Sequence, residues 1–272
     1  MDLALFGLHR GRGTEPETLV RRARAAEEAG LESLWVGDHV ALPTRAGKDD
    51  RLEAVVAVGF LAAVTSRVRL AIGVVVLPQR HPVLLAKQLS SLDILTGGRL
   101  TVGVGAGYVE EELAAFGVPL TERGARTDDH LAAMRAIWRG ETSYEGRFVS
   151  YAGVAQWPPP VQRPHPPIVV GGHSPAALNR AARQGNGWFG WDLELAETGV
   201  MLASLRRAVR TEERPARLGA LEITVAPKER LRLDVARRYA DLGVHRLVLR
   251  ARPGETFEKL IAGAGDALVG RV

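Results

Sequence analysis

Two stretches of this chain carry reactive residues where a strand should end. In "LWVGDHV" (34–40), three apolar residues of strand character lead straight into Gly37, Asp38 and His39. A carboxylate beside an imidazole suits general acid/base work, because imidazole titrates near neutrality and can give or take a proton. In "PIVVGGHSPAAL" (167–178), an apolar run ends on Gly171 and Gly172, followed by His173, Ser174 and Pro175. Serine at an N-cap and proline at the first helical position open a helix. The backbone N–H groups exposed there suit an anion such as phosphate. A third stretch, "GVGAGY" (103–108), sets Gly103, Gly105 and Gly107 at alternate positions around Ala106. Glycine permits close approach of backbone to a ligand, and the same residues can equally serve packing between strand tips.

Several chemistries are disfavoured. The chain has no cysteine, which removes disulfides, thiolate metal sites and a cysteine nucleophile together. Its 7 histidines fall in separate segments without His-x-x-x-His spacing, so no metal site is expected. A glycosidase needs two carboxyl groups flanking one bond. Glu110 to Glu112 could supply one, but the strand at 221–226 ends on Ala226 and Pro227, and no Gly-x-Ser-x-Gly elbow occurs. The net charge of +5 is spread over Arg-rich helices rather than gathered in a block, so nucleic acid is not expected as a partner. No apolar run approaches the ~20 residues that span a bilayer. The start "MDLALFGLHRG" lacks a basic lead and a cleavage site, and a cytoplasmic protein is expected.

The elements that must hold these residues alternate along the chain. Strands are predicted at 3–8, 31–37, 68–78, 99–105, 167–172, 187–191, 221–226 and 245–250. Helices are predicted at 14–30, 51–64, 82–98, 110–138 with a break at 117–119, 175–184, 194–212, 228–241 and 255–268. Thr14 and Glu17 have capping-box spacing for the first helix. Apolar strands alternating with helices imply a parallel sheet covered by helices. Eight such units in 272 residues predict the α/β class and a (β/α)8 (TIM) barrel, as one domain over 1–272. A doubly wound open sheet is the alternative, but "FGLHRGRGTEP" has neither a dinucleotide fingerprint nor a P-loop. The alternation lapses at roughly 140–165, where a hairpin (144–153) and a proline-rich connector (156–167) form a short insertion between the fourth and fifth strands. In such barrels the active site lies at the C-terminal strand ends, which places Asp38, His39 and the glycine runs on one face.

The segments 34–40, "LAIGVVVLPQRHPVLLAKQLSSLDILTGGRLTVGVGAGY" (70–108) and "HPPIVVGGHSPAALNRAARQGNGW" (165–188) together resemble the bacterial luciferase-like monooxygenase superfamily. Within it they are most similar to the branch of oxidoreductases that use the deazaflavin coenzyme F420. The resemblance covers residues 3 to 190 in matching order, and its most specific part runs from Asp93 to Gly107. It implies a barrel with the cofactor across the strand tips. Asp38 and His39 would then fall beside the redox ring. Gly73, Val74 and Val75 would match a bulge in the third strand, often with a non-prolyl cis peptide, behind that ring. Ala106 and Gly107 would approach the cofactor tail, and Gly171, Gly172, His173 and Ser174 would form its phosphate site.

The resemblance further implies hydride exchange with a small organic substrate. His39 is expected as the acid/base, with Asp38 orienting it or accepting a hydrogen bond from the cofactor. An FMN-dependent monooxygenase working with a separate flavin reductase is the alternative, and a cofactor-binding protein without turnover is a reading of another class. Trp188, Phe189, Trp191 and the insertion are expected to shape the substrate pocket, and a homodimer is an expectation. The sequence departs from the family pattern in three places. The loop Ala41–Asp50 is short, Tyr108 stands where some members carry a carboxylate, and Asn186 stands where Asp is common.

Overall fold

A computed structural model describes residues 1–272. The chain lays down β1 (Asp2–Phe6), β2 (Ser33–Val36), β3 (Arg69–Val76) and β4 (Leu100–Gly105). A small antiparallel hairpin follows, β5 (Tyr144–Glu145) and β6 (Ser150–Tyr151), then β7 (Ile168–Gly171), β8 (Gly187–Leu193), β9 (Glu222–Pro227) and β10 (Arg246–Arg250). The eight long strands close into a parallel barrel in the order β1-β10-β9-β8-β7-β4-β3-β2. The helices are α1 (Pro16–Glu28), α2 (Ala54–Val64), α3 (Pro82–Leu95), α4 (Glu110–Ala115), α5 (Arg123–Trp138), α6 (Pro175–Gln184), α7 (Leu195–Thr211), α8 (Leu233–Asp241) and α9 (Phe257–Ala267). The expected (β/α)8 architecture is therefore the one observed.

Strand alternation divides the core in two. Outward-facing residues such as Leu34, Val36, Leu70 and Ile72 join the helices in a cluster of 51 buried residues. Inward-facing residues fill the barrel itself: Ala4, Phe6, Trp35, Ala71, Val169, Phe189, Ala226 and Val248. Small residues opposite aromatic ones let the plug fit the barrel's width. At the N-terminal end, Arg246 is buried and held by Glu32 (2.8 Å), Glu222 and the Thr224 hydroxyl (3.2 Å). That end is closed by satisfied charge, which leaves the opposite end as the mouth.

Some local expectations are corrected. The first helix starts at Pro16 with Glu15 as N-cap, so Thr14 does not cap it; its hydroxyl donates to the Gly11 carbonyl instead (2.8 Å). Proline claims the first helical position and so moves the cap beyond Thr14. The helix expected over 228–241 begins only at Leu233. The expected break at 117–119 separates α4 from α5. The insertion does not reach the mouth by its hydrogen bonds. Tyr144 Oη and the Phe148 N–H donate to Asp129 on α5, and Gln156 and Gln162 bond the two ends of α3. It is a cover on α3 and α5. Asn186 has a clear role: its side-chain carbonyl accepts the Ile168 N–H (2.9 Å) and its own N–H donates to the Ile168 carbonyl (2.7 Å).

Candidate active site

The end of β2 fixes two side chains in opposite ways. Asp38 is buried against the end of β3. Its Oδ2 accepts the Val76 N–H (3.0 Å) and Arg80 Nε (3.1 Å), and Arg80 Nη2 also bonds Oδ1. Arg80 further donates to Glu53 (2.7 Å). Burial pulls the Arg80 guanidinium down, but hydrogen bonding and attraction to Asp38, with Glu53 adding to them, raise it above its ordinary value. Both Asp38 oxygens are thus committed to anchoring the end of β3. The expected orientation of His39 by Asp38 is not what the structure contains.

That role falls to Glu112, which sequence reasoning passed over. Its Oε2 meets His39 Nδ1 at 2.9 Å, and its Oε1 accepts the N–H groups of Val40 (2.6 Å) and Ala41 (3.2 Å). The Glu112 side chain is 2% exposed, against 21% for His39. Burial pushes the Glu112 carboxyl up, yet the hydrogen bonds from His39 and from the backbone of Ala41 and Val40 outweigh it and hold it below its usual range. An ionised Glu112 can only accept, so it fixes the tautomer with hydrogen on Nδ1. Nε2 is left facing the mouth, 3.5 Å from Tyr108 Oη, with the two rings edge-on. In the sequence Glu112 was one of three consecutive glutamates. Burial of Glu112 and exposure of Glu110 and Glu111 distinguish them.

The glycine runs turn out to serve close packing at the strand tips, Val74 above all. β3 carries a bulge between Ile72 and Val75, and its Gly73–Val74 peptide is cis. Val74 points at the tips of β4 and β7. A Cβ added at Gly105 would lie 2.7 Å from a Val74 methyl and at Gly171 2.8 Å; at Gly103 it would meet the Ile72 carbonyl oxygen first, at 2.2 Å, and a Val74 methyl at 2.9 Å. Gly107 makes room for Val76 in the same way, at 2.7 Å. The density of glycine is therefore first a matter of strand-tip packing, and the ligand-approach reading of Gly103, Gly105 and Gly171 is corrected to that extent. The result is an apolar ledge. Val74 and Trp191 cap the barrel plug, with the Trp191 ring tilted against Phe6 at 4.6 Å and Trp35 against Phe189 at 5.1 Å. Trp191 caps the plug and Phe189 lies buried within it; Trp188, expected at the pocket, instead faces outward and donates Nε1–H to the Gly172 carbonyl (2.9 Å).

Across from His39, β7 hands over to α6. Ser174 is the N-cap, its hydroxyl accepting the Ala177 N–H (3.2 Å). The N–H groups of His173, Ser174 and Ala176 have no partner within the chain and stand on exposed residues. The His173 ring is tied back: Nε2 accepts the Trp191 N–H (3.2 Å), and burial pushes the imidazole below its usual value. It can contribute a backbone N–H to an anion, and its ring serves β8. Ala106 and Gly107 lie half-buried at the end of β4.

One more imidazole at this end went unremarked in the sequence. His9, just after β1, is wholly buried, and neither ring nitrogen has a partner. Burial, reinforced by Arg51 and Arg10, lowers it to about 4, so it is neutral at pH 7. No group of three His, Cys, Asp or Glu is arranged to hold a metal ion.

The mouth thus offers an imidazole of fixed tautomer, a flat apolar ledge and a set of free backbone donors at a helix start. These fit a planar ring with an anionic tail: the ledge accepts a ring face and the β7–α6 turn accepts negative charge. Comparison with known proteins agrees. The sequence profile of the luciferase-like monooxygenase family matches residues 1–265. An uncharacterized protein of Mycobacterium tuberculosis is 34% identical over 261 residues, covering 89% of this chain and 88% of its own. The oxygenase component of a flavin-dependent trigonelline monooxygenase from Acinetobacter baylyi is 29% identical over 194 residues, covering 68% of this chain and 52% of its own. Among solved structures, an F420-dependent secondary alcohol dehydrogenase in complex with an F420–acetone adduct superposes with a TM-score of 0.81. At 15% identity and 98% coverage of both chains, that last likeness speaks to the fold alone.

Proposed function

The chain belongs to the luciferase-like monooxygenase family, and from that premise we propose that it is an oxidoreductase exchanging hydride between coenzyme F420 and a small organic substrate, with His39 as acid/base. The observation that carries this reading is the Glu112–His39 pair, set beside an apolar ledge with Nε2 open to the mouth. When bound, the deazaflavin supplies hydride rather than single electrons.

The chain's own residues supply position and proton. Val74, backed by Gly73 and Val75, offers the face on which a ring would rest. Ala106 and Gly107 flank the tail, Gly171 and Gly172 shape the turn, and the free N–H groups of His173, Ser174 and Ala176 hold its phosphate. Val74 and Trp191 keep water from the reacting face. Glu112 stabilises the imidazolium of His39 when Nε2 takes a proton, and keeps Nε2 aimed at the substrate when it gives one back. Asp38 serves by holding Arg80 and the end of β3 in register with His39.

The second reading is an FMN-dependent monooxygenase with a separate reductase, favoured by the flavin-dependent relative from Acinetobacter. A titration separates the two. FMN and F420 are added separately to the purified protein, and absorbance and fluorescence are followed. The expected result is saturable binding of F420 with weaker or no binding of FMN; tight binding of FMN alone rejects the main reading.

We propose in addition that α2 and α3 meet a second copy of the chain. The α2 sequence is apolar on all sides, Val56 is 66% exposed, and Leu84 and Leu95 on α3 are 59% and 70% exposed. A helix apolar all round is normally covered, and light scattering after gel filtration should report a dimer mass that Val56→Glu reduces to a monomer.

A further inference from the structure

Beside the mouth, a cleft of about 260 Å³ opens between α8 and α9 at the ends of β9 and β10. Leu231, Leu233, Leu249 and Leu260 form an apolar part of its wall, and five cations line the rest: Arg230, Arg232, Arg250, Arg252 and Lys259. The only carboxylates in the lining are Glu229 and Glu255. Both are already engaged. Glu229 accepts from Tyr239 Oη (2.6 Å) and the Leu195 N–H (2.8 Å), and Glu255 accepts from Arg230 (3.3 Å) and the Arg252 N–H (3.3 Å). Arg232 is paired with Asp234 and Arg250 with Asp192. The Arg252 guanidinium donates to the Lys228 carbonyl and feels the charge of Glu229 without forming a salt bridge to it, and Lys259 is in no ion pair. Two cations beside the cavity are therefore left without a direct ion pair.

Arg250 ties the cleft to the mouth, since its guanidinium lies 5.1 Å from the Trp191 ring centroid. The site is separate from the β7–α6 turn, because β8 stands between β7 and β9. Loops after the seventh and eighth barrel strands are a frequent place for anions in this architecture, and β9 and β10 are those strands here. Gly263 on α9 leaves open space, with no atom within 4 Å of an added Cβ. The volume sits just under the ~300 Å³ at which small-ligand pockets begin, so the occupant is small.

We propose that this cleft is a second binding site, for a small organic anion: a phosphate monoester or carboxylate carried on an apolar body. The apolar part lies against Leu231, Leu233 and Leu260, and the charge meets Arg252 and Lys259. The site goes beyond the hydride-transfer reading and does not rest on the choice of cofactor.

The test is calorimetric titration of the full chain, without cofactor, using phenyl phosphate and, separately, inorganic phosphate. One phenyl phosphate per chain is expected, bound more tightly than inorganic phosphate because the ring fills the apolar wall. The double variant Arg252→Ala/Lys259→Ala should weaken phenyl phosphate at least tenfold. Gly263→Leu should do the same with every charge intact, by filling the cavity. Circular dichroism checks that each variant is folded, and the two variants fail by unrelated routes. His39→Ala should bind as the parent does. Absence of stoichiometric binding, or parental affinity in both cleft variants, overturns the proposal. Titration of the double variant with F420 and with FMN should give parental affinities. A parallel loss for either would assign the cleft to that cofactor's anionic end and overturn a separate site.

Discussion

Glu112 and His39, 73 residues apart, meet at 2.9 Å across the tip of β3. The carboxylate comes from α4 after β4 and the imidazole from the end of β2, so β2, β3 and β4 have to lie side by side before the pair exists. The same carboxylate also takes the Val40 and Ala41 N–H groups. It therefore sets the imidazole's tautomer and the course of the β2 loop together.

Replacing His39 with Ala should lower turnover by ~10²–10⁴-fold, the usual worth of general acid/base catalysis, with cofactor affinity changed much less. Glu112→Gln keeps the volume and should give an intermediate loss of kcat together with an altered pH–rate profile. Steady-state kinetics across pH decide it: a profile unchanged in shape would make Glu112 a structural cap only.

Glu112 also predicts a stability difference with a definite sign. Its carboxyl lies below its ordinary value in the folded chain. The stabilisation is therefore fully present above the unfolded value of ~4.3 and fades as pH falls through the lower folded value. The Tm of the parent should exceed that of Glu112→Gln near neutrality, and the gap should shrink below about pH 4. A gap that widened on acidification would contradict the assignment.

Asp38 should behave as an anchor. Its side chain is 1% exposed and that of Arg80 14%, so removing the carboxylate leaves a buried guanidinium short of one partner. Asp38→Ala should cost about 3–5 kcal/mol in urea unfolding, whereas His39→Ala should cost far less. Equal stabilities with a selective loss of turnover in Asp38→Ala would return Asp38 to a direct catalytic part.

Gly171 and Val74 should be energetically coupled. Gly171→Ala places a methyl 2.8 Å from Val74 and should destabilise by about 1–3 kcal/mol, the range for overpacking. Val74→Ala in the same chain should recover much of that. A double-mutant cycle by denaturant unfolding should give an interaction energy of at least about 0.5 kcal/mol; additive values would mean the glycine is kept for another reason.

His9 should make the protein acid-sensitive above the carboxylate range. Its folded value is about 4 against about 6.5 unfolded, so between those values the unfolded chain binds the extra proton and stability rises with pH. Acidification from pH 7 to 5 should cost about 2 kcal/mol through this residue. His9→Leu, which also removes two unpartnered nitrogens, should flatten the fall in Tm over that range.

Strand and helix periodicity carried the barrel, because alternation of buried residues is local and repeats eight times. The β2 ending and the Ser174–Pro175 helix start were legible for the same reason: each depends on residues adjacent in sequence. Asp38 and His39 side by side looked like one catalytic pair, but neighbouring residues at a strand end point to different sides. Asp38 went to Arg80 and the Val76 N–H, and His39 went to Glu112.

The amino-acid sequence by itself thus determined the α/β barrel and the strand ends, such as that of β2, where the candidate site is built. Only the tertiary structure decided which of three consecutive glutamates meets His39, that Gly103, Gly105 and Gly171 make room for Val74, and that Arg252 and Lys259 line a cavity. The physical reason is distance along the chain. Propensity and patterning act over a few residues, whereas these contacts join segments brought together only when the eight strands close.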